Sequence, residues 1–311
     1  MLDIKNKKVL YLCKNFQNIN DGGKIYDFKL SNALKNTINL EVYFVNIIRP
    51  FGLPFWKGKI ENEELNYIKK KSKSYDYIII SHEGLGSLVP ILKPDLFIFH
   101  NVFSIFDSPN RFLNFYYRLG AGKFEKFIVT NSKNVLTLSF REQKHLNKKF
   151  SKVILCEPPG LRTIDICDYK DFSKIKLTGS YDWLPKKLSR LTKKELSHLE
   201  KNFEIIEEDN EETNVSLIEE NFLAGFKLKL MQMLYRGDYI FSRVDLKEEI
   251  ESLGLRSDLF FYIKNINEIN QILALNKKDY LDIVDHNRSL LKIKYKWSNI
   301  AERIQKEFTS F

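Results

Sequence analysis

Residues 222–240, FLAGFKLKLMQMLYRGDYI, combine glycines, lysines and an amide at helical spacing. Gly225 opens a predicted helix and Lys227 lies in its first turn, while Lys229 and Gln232 are three residues apart and share a helix face. A helix start of this kind can hold an anion such as a diphosphate, and the amide can bond a ribose hydroxyl. The alternative is an ordinary amphipathic helix whose lysines lie in solvent.

Histidines follow two predicted buried strands, at residues 77–80 and 96–99. The first strand is followed by His82 and Glu83 and the second by His100 and Asn101. If the sheet is parallel, both imidazoles lie at the same sheet edge, where ligands of α/β proteins gather. The alternative is that each strand-end histidine is structural.

Glycines follow two further predicted strands. Residues 8–13 read as a strand, followed by a loop with Gly22 and Gly23 and then by a helix that Lys24 begins. Strand, glycine loop and helix open many nucleotide-binding α/β units, although a plain tight turn explains the glycines equally well.

The second such strand, residues 174–179, ends at Gly179 and Ser180, where a backbone N–H or a hydroxyl can meet a phosphate or a sugar. A simple strand-to-loop turn is the alternative. Asp182 has no partner at metal-ligand spacing, and no Asp-x-Asp pair follows a strand, so a bound divalent metal is not implied.

The composition is that of a globular protein, and the length of the chain suffices for two compact domains. Of its 311 residues, 43% are hydrophobic and 29% are charged, which argues against disorder. Cys13, Cys156 and Cys167 are scattered and odd in number, which indicates reduced cytosolic thiols. The N-terminal apolar run is too short for a signal peptide or a membrane span, so we expect a cytoplasmic protein.

The formal net charge of +10 has several explanations. No nucleic-acid-binding motif accompanies the lysines, so nucleic acid is not an expected partner. A lysine-rich proteome explains the charge, and contact with an anionic membrane at the inner face of the cytoplasmic membrane is the functional alternative.

A Pro-Pro-Gly run at residues 158–160, which breaks regular structure, predicts a domain boundary near Pro158. We expect an N-terminal Rossmann-like domain at residues 1–157, a second one at residues 158–295 and a terminal helix at residues 296–311. The pattern also predicts a strand at residues 127–130, the end at Gly237 of the helix that Gly225 opens, and a buried strand from residue 238.

Several of these stretches resemble retaining glycosyltransferases of the family-4 type. The run GFKLKLMQMLYRGDYI is similar to the donor-nucleotide segment, which reads Gly, any residue, Arg or Lys, any residue, Lys, two apolar residues and Glu, then Gly-x-Pro. Gly225, Lys227, Lys229 and Gly237 match, whereas Gln232 replaces the usual Glu and Tyr239 the usual Pro.

Shorter motifs extend the resemblance to both halves of the chain. GGKIYDFKLSNAL, the HNV at His100, VLTLSFREQKHL, PPG and KWSNIAERIQKEF each have counterparts in the family. KLTGSYDWLPKK resembles the F-x-G-S-x-x-W-x-P-N motif, with Lys186 in place of the Asn.

The resemblance implies a GT-B fold, in which two Rossmann-like domains face a cleft and the C-terminal helix crosses back to the first domain. It implies hexosyl transfer with retention from a nucleotide diphosphate sugar to a saccharide or lipid-linked saccharide, without a cofactor or metal, in bacterial surface-polysaccharide (lipopolysaccharide or capsule) synthesis. A nucleotide-sugar epimerase and a non-catalytic binding protein of the same shape are the alternatives.

The resemblance also assigns the site residues. His100, favoured over His82, and Lys227 are the catalytic candidates. The donor-binding candidates are Gly22, Gly23, Asn101, Gly179, Ser180, Gly225, Phe226, Lys227, Leu228, Lys229 and Gln232. On the acceptor side are His82, Glu83 and Lys24.

Overall fold

The structure is a computed structural model that describes residues 6–15, 22–48, 59–161, 171–178, 183–206, 213–275 and 280–309. The chain divides into two compact units. The first comprises Met1–Pro159, Ala224–Phe226 and Trp297–Phe311, and the second comprises Gly160–Leu223 and Lys227–Lys296. Gly179, Ser180 and Asp182 lie outside the described residues.

The first unit contains a parallel sheet whose strands, in the described part of the chain, follow the order β2-β1-β3-β4-β5-β6. The strands are β1 (Lys8–Lys14), β2 (Asn39–Val45), β3 (Tyr77–Ser81), β4 (Leu96–Phe99), β5 (Asn134–Thr137) and β6 (Leu155–Cys156). They are short apolar runs rich in β-branched and aromatic residues, as expected of strands covered on both faces.

Helices cover both faces of this sheet. They are α1 (Gly22–Lys35), α2 (Asn62–Ser72), α3 (Val89–Leu92), α4 (Arg111–Arg118), α5 (Ala121–Asn131) and α6 (Phe140–Lys149). Because side chains alternate along a strand, Tyr11 of β1 packs with α1 on one face, and Leu10 and Leu12 pack with α2, α3, α5 and α6 on the other.

The second unit contains another parallel sheet, in the order β11-β10-β9-β7-β8 among the described residues. Its strands are β7 (Lys174–Thr178), β8 (Glu204–Ile206), β9 (Val215–Ile218), β10 (Tyr239–Ser242) and β11 (Phe260–Tyr262). Its helices are α7 (Leu184–Leu188), α8 (Lys193–Glu200), α9 (Leu228–Arg236), α10 (Lys247–Ser252), α11 (Glu268–Leu275) and α12 (Tyr280–Lys294).

The end of α9 follows the sequence prediction. Gly237 is left-handed, with φ of 80°, and a Cβ atom there would come within 2.5 Å of Val284 on α12. Both the backbone conformation and the close approach of α12 therefore require glycine. The buried strand predicted to follow is β10.

The last helix, α13 (Trp297–Thr309), belongs to the first unit and packs against α1. Its Ile300 and Ile304 are fully buried in the same cluster as Tyr26. Arg303 also donates two hydrogen bonds to the Glu157 carboxylate, at 2.9 and 2.6 Å. No helix in the described part of the chain is both long and apolar enough to cross a membrane.

Two local predictions in the first unit are wrong. Residues 127–130 are helical in α5, because Ile128 and Val129 fill the face that packs on the sheet and this burial outweighs their β preference. Gly22 and Gly23 are the first residues of α1 and do not form a loop.

Both sheets reverse their strand order beside the first strand of the unit. β1 pairs with β2 on one side and β3 on the other, and β7 pairs with β8 and β9 in the same way. In parallel α/β sheets, ligands bind outside the carboxyl ends of the strands at such a switch point. The topology therefore predicts a ligand site in each unit at the carboxyl end of its first strand, β1 or β7.

Candidate functional site

The carboxyl edge of the first sheet brings the two predicted histidines together. His82 follows β3 and His100 follows β4, and their ring centroids are 5.1 Å apart. The parallel pairing of β3 with β4 is the cause, because it aligns the ends of both strands. This juxtaposition is what the strand-end pattern predicted.

His100 is held in a buried hydrogen-bond network, with its residue only 5% exposed. Its Nε2 is 2.9 Å from Ser81 Oγ and 3.4 Å from Asp27 Oδ1. Ser81 and Tyr11 donate their hydroxyl protons to the same Asp27 oxygen, at 2.5 and 2.7 Å. Since the Ser81 proton is used in this way, Ser81 Oγ accepts from His100, which places a proton on Nε2.

The other ring nitrogen, Nδ1, is buried and has no hydrogen-bond partner among the described residues. Burial lowers the pKa of His100, but the charge and hydrogen bond of Asp27, with a contribution from Glu83, outweigh burial and raise that pKa above 6.5. The protonated ring can therefore donate from Nδ1, and the neutral ring can accept there.

Glu83 braces the turn that carries His100. Its Oε2 accepts from the backbone N–H groups of His100 and Asn101, at 3.2 and 3.3 Å, and its Oε1 accepts from Asn101 Nδ2 at 3.1 Å. Both oxygens of the Glu83 carboxylate thus accept hydrogen bonds from the protein itself. Its role at this edge is to position neighbouring residues.

His82 adopts a backbone conformation that is rare for a side-chain-bearing residue, with φ of 91°. Its Nδ1 accepts from Gly84 N–H at 3.0 Å, and its Nε2 is 2.6 Å from Lys14 Nζ at the end of β1. Residues held in such strained conformations concentrate at functional sites. The His82–Lys14 contact places two basic side chains at the β1–β3 switch point.

Gly225 of the predicted donor segment packs against the His100–Asn101 turn. Its φ is 58°, and a Cβ atom there would lie 2.6 Å from both His100 O and Asn101 Oδ1. Its N–H donates to Glu142 Oε1 at 2.9 Å, and the same oxygen accepts from Val102 N–H at 2.9 Å. The structure therefore brings together three predicted residues, His100, Asn101 and Gly225.

Burial raises the pKa of the Glu142 carboxyl to about 8, assisted by the nearby Glu83 charge. The N–H groups of Val102 and Gly225 and the Arg141 charge oppose the shift. Glu142 is therefore a largely neutral acid near pH 7.

Four other predicted residues of the first unit lie around this edge. Gly22, Gly23 and Lys24 form the first turn of α1 and are partly buried, and Phe226 packs against the core that α1 and α13 share. Phe226 therefore serves at least as a packing residue.

The second unit holds a compact ion cluster at its switch point. Glu220 follows β9 and accepts from Lys227 at 2.8 Å and from Lys186 at 3.1 Å. Lys227 also lies 4.4 Å above the Phe222 ring, a cation–π contact. Burial raises the pKa of Glu220, but the two lysine charges outweigh burial and lower it to about 2.

Lys227 differs from its predicted placement. It is the residue preceding α9 and has an extended backbone conformation. Its side chain is only 10% exposed, because it forms an ion pair with the buried Glu220. Within α9, Leu228 and Gln232 are partly buried and Lys229 is exposed. A lysine at a helix N-terminus still adds to the positive field that the helix provides for an anion.

The sequence prediction missed the residues that position these groups: Asp27, Ser81, Glu142, Lys186 and Glu220. Asp27 is the charged residue among the buried residues of α1, which is the signal that would have identified it. In the described part of the chain, no group of three His, Cys, Asp or Glu residues is arranged to hold a metal ion.

Solved structures of glycosyltransferases share this fold. Sucrose-phosphate synthase from Thermosynechococcus elongatus matches with a TM-score of 0.64 at 13% identity, over 98% of each chain. HepE from Anabaena, in complex with UDP-glucose, matches with a TM-score of 0.58 at 11% identity, over 98% of this chain and 100% of that one.

S. aureus TarM, in complex with Fondaparinux, alpha-GlcNAc-glycerol and UDP, matches with a TM-score of 0.56 at 15% identity, over 81% of this chain and 60% of that one. No protein-family profile and no curated protein sequence matches this chain. The predicted two-domain, Rossmann-like GT-B fold is confirmed.

Proposed function

We propose that this protein is a retaining glycosyltransferase that moves a hexosyl group from a nucleotide diphosphate sugar to a saccharide or lipid-linked saccharide acceptor. The observation that carries the proposal is the Lys186–Glu220–Lys227 cluster, which lies at the switch point of the second sheet and at the start of α9. Two ammonium groups beside a helix N-terminus suit a diphosphate, both in the bound donor and as a leaving group.

The fold supports the same class of reaction. The neighbours with this fold include HepE in complex with UDP-glucose and TarM in complex with UDP. The sequence motifs that resemble family-4-type enzymes support retention and a place in bacterial surface-polysaccharide synthesis. The lysines replace a metal ion in neutralising the diphosphate, so transfer should proceed in EDTA.

In the proposed reaction, the acceptor hydroxyl oxygen attacks the anomeric carbon and the bond from that carbon to the diphosphate oxygen breaks. The acceptor proton passes to the departing phosphate. Lys186 and Lys227 stabilise the developing negative charge. His100 positions a donor hydroxyl, and Glu83 holds the turn that carries it; small misplacements at such positions cost large factors in rate.

The test is calorimetric titration with UDP, GDP, ADP, dTDP and the corresponding sugar nucleotides. Wild type should bind one base class. In the double variant Lys227→Met/Glu220→Gln, which removes Lys227 together with the carboxylate that pairs with it, affinity should fall about tenfold or more, the scale of one charged hydrogen bond. Lys247→Met, at an exposed lysine of the same unit, is the matched control and should bind normally.

Unchanged affinity in the double variant would remove the cluster from the donor site. Failure of wild type to bind any of these nucleotides would overturn the proposed function. For a sugar nucleotide that binds, the anomeric configuration of the product, measured by NMR, tests retention. Loss of transfer in EDTA that is restored by manganese would contradict the metal-free mechanism.

A further inference from the structure

Helix α4 of the first unit carries apolar residues on two sides. Leu113 and Tyr117 are buried against the unit, as an amphipathic helix requires. Phe112 and Phe115, however, are 70% and 65% exposed, and Leu119, immediately after the helix, is 50% exposed. Positions 112, 115 and 119 have the i, i+3, i+7 spacing of a single stripe, so the solvent side of α4 is apolar too.

The exposed charged residues within positions 111–127 are all basic. Between positions 111 and 127, RFLNFYYRLGAGKFEKF, the basic residues Arg111, Arg118, Lys123 and Lys126 are all exposed. The acid in this stretch, Glu125, is buried and accepts from Ser104 N–H. Arg118 contacts Asp107 at 3.3 Å, and both side chains remain exposed to solvent.

The neighbouring helix continues the same composition. α5 packs against α4 and exposes Lys123, Lys126 and Phe127. Exposed aromatic residues flanked by cations are the composition of helices that lie in the interface of an anionic bilayer, where the rings enter the headgroup–acyl boundary and the cations meet lipid phosphates.

Charge complementarity selects this occupant over a second copy of the chain. In a two-fold dimer the same patch of both copies is apposed, so the four exposed cations would face their own counterparts and repel. An anionic lipid surface satisfies the apolar stripe and the cations together.

We propose that Phe112, Phe115 and Leu119 of the α4 stripe dock the protein onto an anionic lipid surface, with Arg111, Arg118, Lys123 and Lys126 contacting lipid phosphates. This surface lies on the first unit and includes none of the residues assigned to donor binding. Its failure and the failure of the proposed glycosyl transfer are therefore separable.

The test is co-sedimentation of the full chain with vesicles of phosphatidylcholine alone or mixed with phosphatidylglycerol, at low and at high salt. Wild type should bind the mixed vesicles and bind more weakly at high salt, because salt screens exposed charges. In Phe112→Ser/Phe115→Ser the partition coefficient should fall about tenfold or more, since two exposed aromatic side chains no longer enter the bilayer.

The matched control is Leu275→Ser/Leu281→Ser, which removes two exposed apolar side chains of the second unit, 81% and 68% exposed, and should bind like wild type. Arg111→Glu/Lys126→Glu should weaken binding and flatten its salt dependence. The emission of a Phe115→Trp variant should shift to the blue with mixed vesicles.

Three results would overturn the proposal. They are failure of wild type to bind mixed vesicles, equal binding by Phe112→Ser/Phe115→Ser and wild type, and a dimer, seen by light scattering, that the same double variant dissociates. The last result would assign the stripe to a second copy of the chain.

Discussion

At the carboxyl edge of the first sheet, buried polar side chains form a hydrogen-bond network, whereas at the carboxyl edge of the second sheet they form an ion cluster. His100, Ser81 and Asp27 hold the first edge, and Lys186, Glu220 and Lys227 hold the second. The strand order beside each switch point is the same. The side chains that follow the strands therefore give each edge its chemistry, and the topology sets only the location.

The two edges should respond differently to pH. The carboxyl pKa of Glu220 is lowered to about 2, so the stability that this group contributes is present above its ordinary value of 4.5 and is lost as pH falls towards 2. The pKa of His100 is raised from 6.5, so its contribution is present below 6.5 and is lost as pH rises through the raised value. Variants can test each half of this comparison.

The largest effect is expected for Glu220→Gln. Two lysines then lose their buried counter-charge, and the free energy of unfolding should fall by about 3 kcal/mol, the scale for breaking a buried ion pair. Urea unfolding at neutral pH measures it. The loss of stability that wild type shows between pH 4.5 and 2 should also be smaller in the variant, because the group that titrates there is gone.

Glu251→Gln is the matched control, because its exposed pairing with Lys247 lies in the same unit. We expect it to change stability by about 0.5 kcal/mol or less. If Glu220→Gln is as stable as this control, the second edge does not depend on its ion cluster and the comparison fails on that side.

Asp27→Asn tests the first edge and should have an intermediate effect. The variant removes the negative charge that raises the pKa of His100, while burial of the ring remains, so that pKa should fall below 6.5. Lys14 also lowers this pKa and Glu83 also raises it, and both remain. Stability should decrease by about 1–3 kcal/mol, because Tyr11 and Ser81 lose a charged acceptor.

NMR titration of the imidazole resonances measures the pKa, and a His100→Gln spectrum assigns the signal among the five histidines of the chain. Asp95→Asn is the control, since this buried carboxylate precedes β4 and binds Ile78 N–H and Lys133 at the other end of the strand. It should destabilise the unit without moving the pKa of His100. An unchanged His100 pKa in Asp27→Asn would contradict the interaction between Asp27 and His100 on which the description of the first edge depends.

Sequence patterns located much of the fold and the edges of both sheets. β4 was predicted residue by residue, and the helix end at Gly237 was read correctly. Both signals are local, because burial determines the apolar run and backbone geometry determines the glycine. The pairing of His82 with His100 required one more step, the parallel alignment of their strands.

The partners of these residues were not predictable in this way. Glu142 lies 83 positions from Gly225, and Asp27 lies 54 positions from Ser81. Such contacts depend on tertiary packing, which local periodicity does not encode. The same reason explains residues 127–130, in which the β-favouring Ile128 and Val129 fill the buried face of a helix because the sheet beneath them is apolar.

The smallest effect at a single pH is expected for Glu142→Gln, which asks whether the carboxyl beside the first edge is neutral. Its pKa is raised from 4.5 to about 8, so the stability that Glu142 contributes should be fully present below pH 4.5 and should be lost as pH rises from 4.5 to 8. Gln can still accept from Val102 and Gly225, so at pH 5 the two proteins should differ by about 1 kcal/mol or less. Between pH 5 and 8 the variant should keep the stability that wild type loses. Urea unfolding across this range measures both slopes, and Glu125→Gln, at another buried carboxyl of the first unit, is the comparison variant. If wild type and Glu142→Gln have parallel pH profiles, Glu142 is ionised in the folded protein. The contrast between a hydrogen-bonded first edge and a charged second edge then does not extend to Glu142, the residue that holds Gly225.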